Sequence, residues 1–358
     1  MPTFIAGIGT AVPPNRIAQA ESSEIVQRLS GDSTVNPRLF QTIYRRSGVG
    51  ARHSVVLLAS DGELNTRQEF FGETSPTTLD RMKRYEQEAA PLAIAASSKA
   101  LQEAQIDPKQ ISHLITVSCT GFYSPGFDIA LIKELPLSCD VLRTHVGFMG
   151  CHAFLNALRV AKAFVEADPS ANVLVCAVEL CSLHLQYGGD PEKIVANALF
   201  ADGAGALVAT SRDLAGSDGY QVVATGSTVI ADTEDAMSWK VGDHGFEMTL
   251  SSRVPDLIGK HLRPWLDHWL ERQGQSVSSI GSWAVHPGGP RILSAFAETA
   301  EVPRSSIEAS YSVLNDYGNM SSPTILFILD RLRIARNPRP CVALAFGPGL
   351  TVEAALLK

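Results

Sequence analysis

The chain has 358 residues, of which 45% are hydrophobic and 19% are charged, and its formal net charge is −7. This balance fits a globular protein with a large core. The negative charge and the lack of a Lys or Arg block argue against a nucleic-acid or anionic-membrane surface, although a local basic patch for a phosphorylated cofactor remains open.

The cysteines and the start of the chain bear on its compartment. Six cysteines lack paired spacing and most lie in apolar runs, so we interpret them as reduced thiols of a cytoplasmic protein. The first residues have no basic segment followed by a long apolar core, and we therefore predict no signal peptide. No run reaches the ~18 apolar residues that a membrane span requires.

Predicted strands and helices alternate along the chain. We expect strands at residues 3–12, 113–119, 141–145, 172–178, 203–210, 220–227, 283–286, 341–346 and 350–356. We expect helices at residues 21–29, 37–46, 79–103, 128–135, 153–166, 253–271 and 321–335, and from residue 291. Pro91 predicts a kink or break in its helix, and residues 60–80 are predicted to form a surface excursion. The alternation predicts α/β layering with a mostly parallel sheet.

A weak internal repeat divides the chain. Each half ends in two apolar strands, at residues 172–178 and 204–210 in the first half and at 341–346 and 350–356 in the second. The pattern suggests two similar halves that join near residue 215.

Cys151 follows a glycine-containing turn and precedes a predicted helix. Residues 153–166 favour the helix, and Asp168-Pro169 ends it. The free N–H groups and the macrodipole of a helix N-terminus stabilise a thiolate at neutral pH. The context therefore favours a nucleophile, with a buried structural thiol as the alternative. An imidazolium at His152 would lower the thiol pKa, but we expect its side chain to point away.

Two further residues can complete a catalytic group. His286 ends a buried strand before the sequence PGGP, and active sites collect at the carboxyl ends of strands in open α/β sheets. Asn319 precedes a predicted helix capped by Ser321 or Ser322, and it could also be only a turn residue. The thiol of Cys151, the imidazole of His286 and the neutral amide of Asn319 form a set that suits thioester chemistry. The same set suits the stabilisation of an enolate after decarboxylation.

Several sequence blocks carry a family resemblance. They are GC at residues 150–151, ALFADG at 198–203, VHPGGP at 285–290, YGNMSS at 317–322 and FGPGLTVE at 346–353. In this order they resemble the signature segments of type III polyketide synthases, the chalcone and stilbene synthase superfamily. HPGGP, YGNMSS and GPGLTVE are specific in combination, and the resemblance covers essentially the whole chain.

The resemblance implies an α/β, thiolase-like fold of two similar halves in a layered αβαβα arrangement, and a homodimer. Residues 1–214 would carry Cys151, and residues 215–358 would carry His286 and Asn319. Cys151 would accept an acyl starter from an acyl-CoA, while His286 and Asn319 would decarboxylate malonyl-CoA. Condensation and cyclisation would give an alkylpyrone or alkylresorcinol, with no permanently bound cofactor.

The resemblance also assigns residues to the cavity and to CoA. Phe200 matches the gatekeeper phenylalanine of the family, and Met248 falls where plant members have a second one. The other implied cavity residues are Thr120, Cys181, His184, Gly347, Pro348 and Gly349. The implied CoA-binding residues are Arg46, Arg291, Gly288 and Gly289, with Arg45 and Arg52 as alternatives for the phosphates.

Where the chain departs from the pattern of the plant members, it resembles the bacterial members of the family. The plant basic cluster falls near Leu39, Thr42 and Arg46, where only Arg46 is charged. Met248 and the residues at 181–184 are compatible with a channel for a medium or long fatty acyl starter, with ordinary core packing as the alternative.

Other functions are less favoured. A ketoacyl-ACP synthase III-like enzyme shares the Cys, His and Asn set, but HPGGP and GPGLTVE fit the polyketide branch better. A non-catalytic acyl-binding protein would not need the thiol. Cys176, Cys181 and His184 have a C-x4-C-x2-H spacing, but Cys176 lies inside a strand and no fourth ligand is near, so we predict no metal.

Overall fold

The computed structural model describes residues 1–30, 36–214 and 219–358. Its strands are β1 (Thr3–Ala11), β2 (Arg16–Ala18), β3 (Ala51–His53), β4 (His113–Ser118), β5 (Leu142–Gly147), β6 (Asn172–Leu180), β7 (Asp202–Thr210), β8 (Tyr220–Val229), β9 (Met237–Gly242), β10 (Gly245–Leu250), β11 (Ser282–Val285), β12 (Cys341–Gly347) and β13 (Thr351–Leu357). Its α-helices are α1 (Gln19–Ser30), α2 (Pro37–Arg46), α3 (Thr78–Ala104), α4 (Phe127–Glu134), α5 (Ala153–Ala167), α6 (Pro191–Leu199), α7 (Val254–Glu271), α8 (Pro290–Ala300), α9 (Glu308–Tyr317) and α10 (Thr324–Ile334).

Nine strands form one mixed sheet in the order β11-β12-β13-β8-β1-β7-β6-β4-β5. β4 is parallel to β5 and β6, and β11 is parallel to β12, whereas the other neighbours are antiparallel. The expectation of a mostly parallel sheet was therefore wrong. A continuous apolar run indicates that a strand is buried on both faces. A central antiparallel strand covered by helices is buried in the same way, so the run does not distinguish it from a parallel strand.

The two halves of the sheet repeat one pattern. In β4-β6-β7-β1 and in β11-β12-β13-β8, the first pair is parallel and the next two are antiparallel. The internal repeat seen in the sequence is thus present in the topology. The division at residues 214 and 215 stays a prediction, since residues 215–218 lie outside the described part.

Three hydrophobic clusters show the layering. Helices α5 and α10 share one cluster with strands of both halves. α3 and α4 cover the outer face of the first half, and α7 and α8 cover that of the second. The result is five layers, αβαβα. The sequence TILFILDRL of α10 is apolar on nearly all sides, as a central helix requires.

Helix α3 continues through Pro91, so of the predicted kink or break, the break does not occur. A capping box of Thr77 and Asp80 begins the helix, and Gln105 ends it in a left-handed conformation. Pro91 is exposed, so water can hydrogen-bond to the carbonyl that loses its partner.

The sequence patterns missed α6, α9 and the β9–β10 hairpin, all of which border the site described below. The predicted excursion at residues 60–80 holds a short 3-10 turn, and α3 begins at its end. Among the described residues, no helix combines the length and apolar character needed to cross a membrane.

Candidate active site

Cys151 lies in a 3-10 turn, residues 150–152, between β5 and α5. Gly150 has a φ of 73°, and a Cβ atom there would lie 2.5 Å from Cδ of Pro348. Glycine is therefore required to bring the turn against the loop after β12. Cys151 is 7% exposed, and the Ser321 hydroxyl lies 3.5 Å from its sulfur.

The resting Cys151 is a thiol rather than the expected thiolate. Burial raises its pKa to about 11, and the charge of Glu179 acts in the same direction. Hydrogen bonds from Ser321 and Asn319 lower the pKa, but desolvation outweighs them. The position before a helix is as predicted, yet the sulfur is too deeply buried to ionise unaided. A nucleophilic role for Cys151 would therefore require a base.

His286 follows β11 and provides an imidazole without a protein partner. Its backbone N–H donates to Leu344 O at 2.8 Å, which extends the β11–β12 pairing by one residue. The side chain is 1% exposed, and within the described chain neither ring nitrogen has a hydrogen-bond partner. Burial lowers its pKa to about 3, with the charge of His152 as a second cause. A neutral imidazole can both accept and donate a proton.

The backbone and the amide of Asn319 are held from both sides. Its N–H donates to Leu199 O, and its carbonyl accepts from Ala201 N–H, both at 2.9 Å. Its side-chain oxygen accepts from the Ser321 N–H at 2.8 Å. The amide NH2 is thereby turned towards Cys151, with which it forms the hydrogen bond noted above.

The structure thus brings Cys151 and Asn319 into direct contact. His286 lies within electrostatic range of His152, the residue that follows the cysteine. His152 hydrogen-bonds to Asn156 and Thr351 through its two nitrogens, so its ring faces the loop after β12.

Glu179 is a buried acid that the sequence reading missed. It lies in β6, is fully buried, and accepts hydrogen bonds from the Thr120 and Ser322 hydroxyls at 2.7 Å and from the Cys119 N–H. Burial raises its pKa. A single carboxylate in the apolar run NVLVCAVEL was a usable signal, because an acid is rarely buried without partners.

A small chamber surrounds the Cys151 sulfur. Residues from both halves and from the β9–β10 hairpin line it: Cys119, Thr120, Gly150, Cys181, Phe200, Met237, Trp239, Met248, Ser321 and Pro348. The predicted cavity residues Thr120, Cys181, Phe200, Met248 and Pro348 are among them.

His184 lies in an aromatic wall beside this chamber. It stacks on Phe246 at 4.2 Å between ring centroids and meets Trp239 edge-on. Its Nδ1 accepts from the Phe246 N–H, so Nε2 carries the proton and donates to Thr120 O at 2.7 Å. Burial lowers its pKa to about 3. His184 is therefore neutral and held in this wall, and it also lines the pocket beside α1 and α6.

A second apolar pocket lies behind this wall, beside α1 and α6. It shares Cys181, Phe200, Trp239 and Met248 with the chamber. Its far side is formed by Ile17, Ile25, Val26, Leu29, Val56, Phe71 and Ala196.

A larger surface pocket of about 820 Å³ opens between α2, α6 and α8. It contains all four predicted CoA-binding residues, Arg46, Arg291, Gly288 and Gly289, together with Leu39 and Thr42. The N-terminus of α8 begins at this pocket, which favours anions. Leu199 and Leu250 line this pocket, whereas their near neighbours in the sequence, Phe200 and Met248, line the chamber around Cys151.

Arg52 is wrong as an alternative phosphate ligand. It is 5% exposed and donates to the carbonyls of Asn197, Ala198 and Phe200. It therefore caps the C-terminus of α6 and fixes Phe200. Arg45 is exposed on α2 but is not among the lining residues of the pocket.

Fold and site together define an acyl-condensing class of enzyme. The αβαβα layers place a thiol in one buried chamber, an amide that hydrogen-bonds to that thiol, and a buried imidazole after β11, with a phosphate-compatible pocket outside the chamber. Among the described residues, no group of three or more His, Cys, Asp or Glu side chains is placed to hold a metal ion.

Comparison with known proteins identifies the family. Residues 2–213 match the N-terminal domain of the chalcone and stilbene synthases, and residues 221–358 match the C-terminal domain. The chain is 32% identical over 365 residues to the alpha-pyrone synthesis polyketide synthase-like Pks18 of Mycobacterium tuberculosis, which covers 99% of this chain and 91% of that protein. It is 31% identical over 361 residues to the 1,3,6,8-tetrahydroxynaphthalene synthase of Streptomyces peucetius subsp. caesius, covering 99% and 93%.

The structural comparison agrees. The crystal structure of PKS-I from the brown alga Ectocarpus siliculosus superimposes with a TM-score of 0.93 at 28% identity, covering 100% of this chain and 98% of that one. The chain belongs to the chalcone and stilbene synthase family and is a type III polyketide synthase of the bacterial type.

Proposed function

We propose that the enzyme loads an acyl group from an acyl-CoA onto Cys151, extends it with malonyl-CoA, and cyclises the product to an alkylpyrone or alkylresorcinol. The observation that carries this proposal is the state of His286. A fully buried imidazole with two unpartnered nitrogens loses solvation without compensation unless a substrate supplies the partner.

Loading begins with proton transfer. His286 accepts the proton of the Cys151 thiol, and the thiolate attacks the carbonyl carbon of the acyl-CoA thioester. CoA leaves as a thiolate and takes the proton back from His286. The imidazole of His286 starts neutral at physiological pH, so a ring nitrogen has a lone pair for this proton. Because burial disfavours the resulting imidazolium, the bound substrate has to supply the polar partner that His286 lacks.

Extension uses the same groups as donors. Malonyl-CoA loses CO2, and its thioester oxygen gains negative charge as the enolate forms. The His286 N–H and the Asn319 amide NH2 donate hydrogen bonds to this oxygen. The enolate carbon attacks the acyl carbonyl carbon on Cys151, and the C–S bond breaks to release Cys151 as a thiolate. The extended chain is now a thioester of CoA, and the Cys151 thiolate takes it back by attacking that thioester, with CoA leaving, before the next extension.

The two pockets suggest how substrates are arranged. The pocket between α2 and α8 holds the CoA phosphates near Arg46 and Arg291, and the pantetheine arm passes between Phe200 and Met248. The apolar pocket beside α1 takes the aliphatic chain of a medium or long fatty acyl starter. The relative from Mycobacterium tuberculosis is named for alpha-pyrone synthesis, which supports a pyrone as product.

A substrate panel tests this function. Purified protein is given malonyl-CoA with acyl-CoAs from acetyl to palmitoyl, without carrier protein, and products are analysed by mass spectrometry. We expect polyketides with aliphatic starters and none from Cys151→Ala, while Cys139→Ala, a change at an exposed free cysteine, serves as the matched control. Strict dependence on acyl-ACP with one extension would favour the ketoacyl-ACP synthase III-like alternative.

A homodimer and a cytoplasmic location complete the proposal. β5 ends the sheet, and within the described chain it pairs only with β4. Leu142, Phe148 and Met149 expose apolar surface along and just after it, with Leu142 61% exposed. Such an edge needs a cover, and β5 of a second copy supplies one. Leu142→Lys should shift the protein to monomers in light scattering.

Six free thiols support a reducing compartment.

A further inference from the structure

A buried polar relay begins at the residue after the nucleophile. His152 Nδ1 hydrogen-bonds to Asn156 Oδ1 at 2.7 Å, and the Asn156 amide donates to Glu353 Oε1 at 2.9 Å. Arg159 donates to the other oxygen of Glu353 at 2.7 Å. At the opposite end, Thr351 hydrogen-bonds to His152 Nε2. The relay joins α5 of the first half to β13 of the second.

The relay fixes which nitrogen of His152 carries its proton. The Asn156 amide NH2 is used towards Glu353, so its oxygen faces His152 and must accept from Nδ1–H. Nε2 is then the acceptor for the Thr351 hydroxyl. His152, Asn156 and Glu353 are each at most 5% exposed, so a missing partner would leave buried polar groups unsatisfied.

The ring of His152 also closes a steric interlock around the nucleophile turn. A Cβ atom on Gly347 would lie 2.0 Å from Cδ2 of His152, and one on Gly150 would lie 2.5 Å from Cδ of Pro348. The turn and the loop at residues 347–349 therefore contact each other at two points on either side of Cys151. Pro348 is itself part of the chamber wall.

We propose that His152 is a positioning residue that holds the Cys151 turn and the loop at residues 347–349 in a single arrangement. Its two hydrogen bonds and its packing on Gly347 set the distance between the Cys151 sulfur and the chamber wall formed by Pro348. Because His152 reaches the substrate only through its neighbours, its loss lowers the rate of condensation more than the binding of malonyl-CoA.

Three substitutions at His152 separate its contacts. His152→Phe keeps the ring volume but removes both hydrogen bonds. His152→Asn keeps a donor near the Nδ1 position, and His152→Gln keeps an acceptor near the Nε2 position, where Thr351 donates. We expect the Phe variant to lose ~10- to 100-fold in kcat, with less than about a twofold change in KM for malonyl-CoA. The Gln variant should recover more of this loss than the Asn variant, since Thr351 lies on the loop side.

Thr351→Val provides a second, milder route to the same contact. If the hydrogen bond between His152 and Thr351 carries the effect, the double variant His152→Phe, Thr351→Val is no slower than His152→Phe alone. Rates are expressed per folded molecule, from circular dichroism and active-site titration of Cys151 with iodoacetamide. A kcat per folded molecule equal to wild type in both single variants would overturn the inference, as would fully additive losses.

This inference rests on the proposed role of Cys151, and the two failures are distinguishable. If wild-type protein forms no polyketide from any acyl-CoA, the proposed function fails. If wild-type protein is active and the His152 variants match it, only the positioning role fails.

Discussion

Replacing Trp239 by alanine should join the chamber around Cys151 to the apolar pocket beside α1. The indole lines both spaces and is the largest side chain between them. It is held by a 2.7 Å hydrogen bond from Nε1–H to Cys119 O and by edge-on contacts with His184 and Phe246. Removing it should let longer starters and longer polyketide intermediates fit.

The same contacts set the loss of stability. The hydrogen bond contributes about 1 kcal/mol, and each aromatic pair contributes about 0.5–1.5 kcal/mol. A fully buried Trp→Ala change costs about 3–5 kcal/mol, and Trp239 is only half-buried. We therefore expect the free energy of unfolding to fall by about 3 kcal/mol. Trp239→Phe keeps a ring against His184 and should lose less.

Urea denaturation and the acyl-CoA panel measure the two effects separately. The alanine variant should accept starters several carbons longer than wild type does, and the phenylalanine variant should stay close to wild type. An alanine variant that is destabilised as expected but keeps the wild-type starter range would refute the reasoning. In that case the pocket beside α1 does not communicate with Cys151.

Three further predictions concern Met248, the surface pocket between α2, α6 and α8, and the buried carboxyl group of Asp202. Met248→Phe should shorten the longest accepted starter in the same panel, and an unchanged range would remove Met248 from the cavity argument. Arg46→Ala and Arg291→Ala should each raise KM for malonyl-CoA about fivefold, whereas Arg45→Ala should not; equal effects would place the phosphates elsewhere. Burial raises the pKa of Asp202 from 3.8 to about 6, so its stabilising protonated form is lost as pH rises through about 6. The free energy of unfolding of wild type relative to Asp202→Asn should fall by about 3 kcal/mol between pH 3.5 and 7.5, and a constant difference would contradict the assignment.

Helices and strands with strong local sequence signals were predicted correctly. The bounds of α2 were confirmed at residues 37–46, because Pro37 sits at the first helical position and the helix stops before Ser47-Gly48. The strands predicted at residues 341–346 and 350–356 were also found; they pair as β12 and β13, with the connection at residues 348–350. α6 was missed although Asp190 and Pro191 give a clear helix start. The β9–β10 hairpin was also missed, although MSWKVG and GFEMTL both alternate apolar and polar residues on either side of a short turn.

The candidate site was also only partly predictable from the sequence. Motif residues were named from the sequence because the resemblance points to them, and their catalytic roles stay predictions. The resting state of Cys151 was not predictable, since burial against Ser321 and Asn319 determines its pKa. Nor was the wall of His184, Trp239 and Phe246, because its three members are brought together only by folding. The direction of neighbouring strands was not predictable either, because an apolar run indicates burial and does not encode whether a strand is parallel or antiparallel to its neighbour.

Residues with a left-handed backbone cluster around Cys151. Phe148, Ser321 and Leu350 have φ values of 59°, 55° and 39°, a left-handed conformation that is uncommon for residues other than glycine. Each costs about 1–2 kcal/mol and persists only where neighbours hold it. All three lie within three residues of Cys151, Asn319 or Pro348 in the sequence. His152 contacts Gly347 and Thr351, which lie on either side of Leu350 in the sequence, so we expect these contacts to help hold the left-handed backbone of the loop beside Cys151.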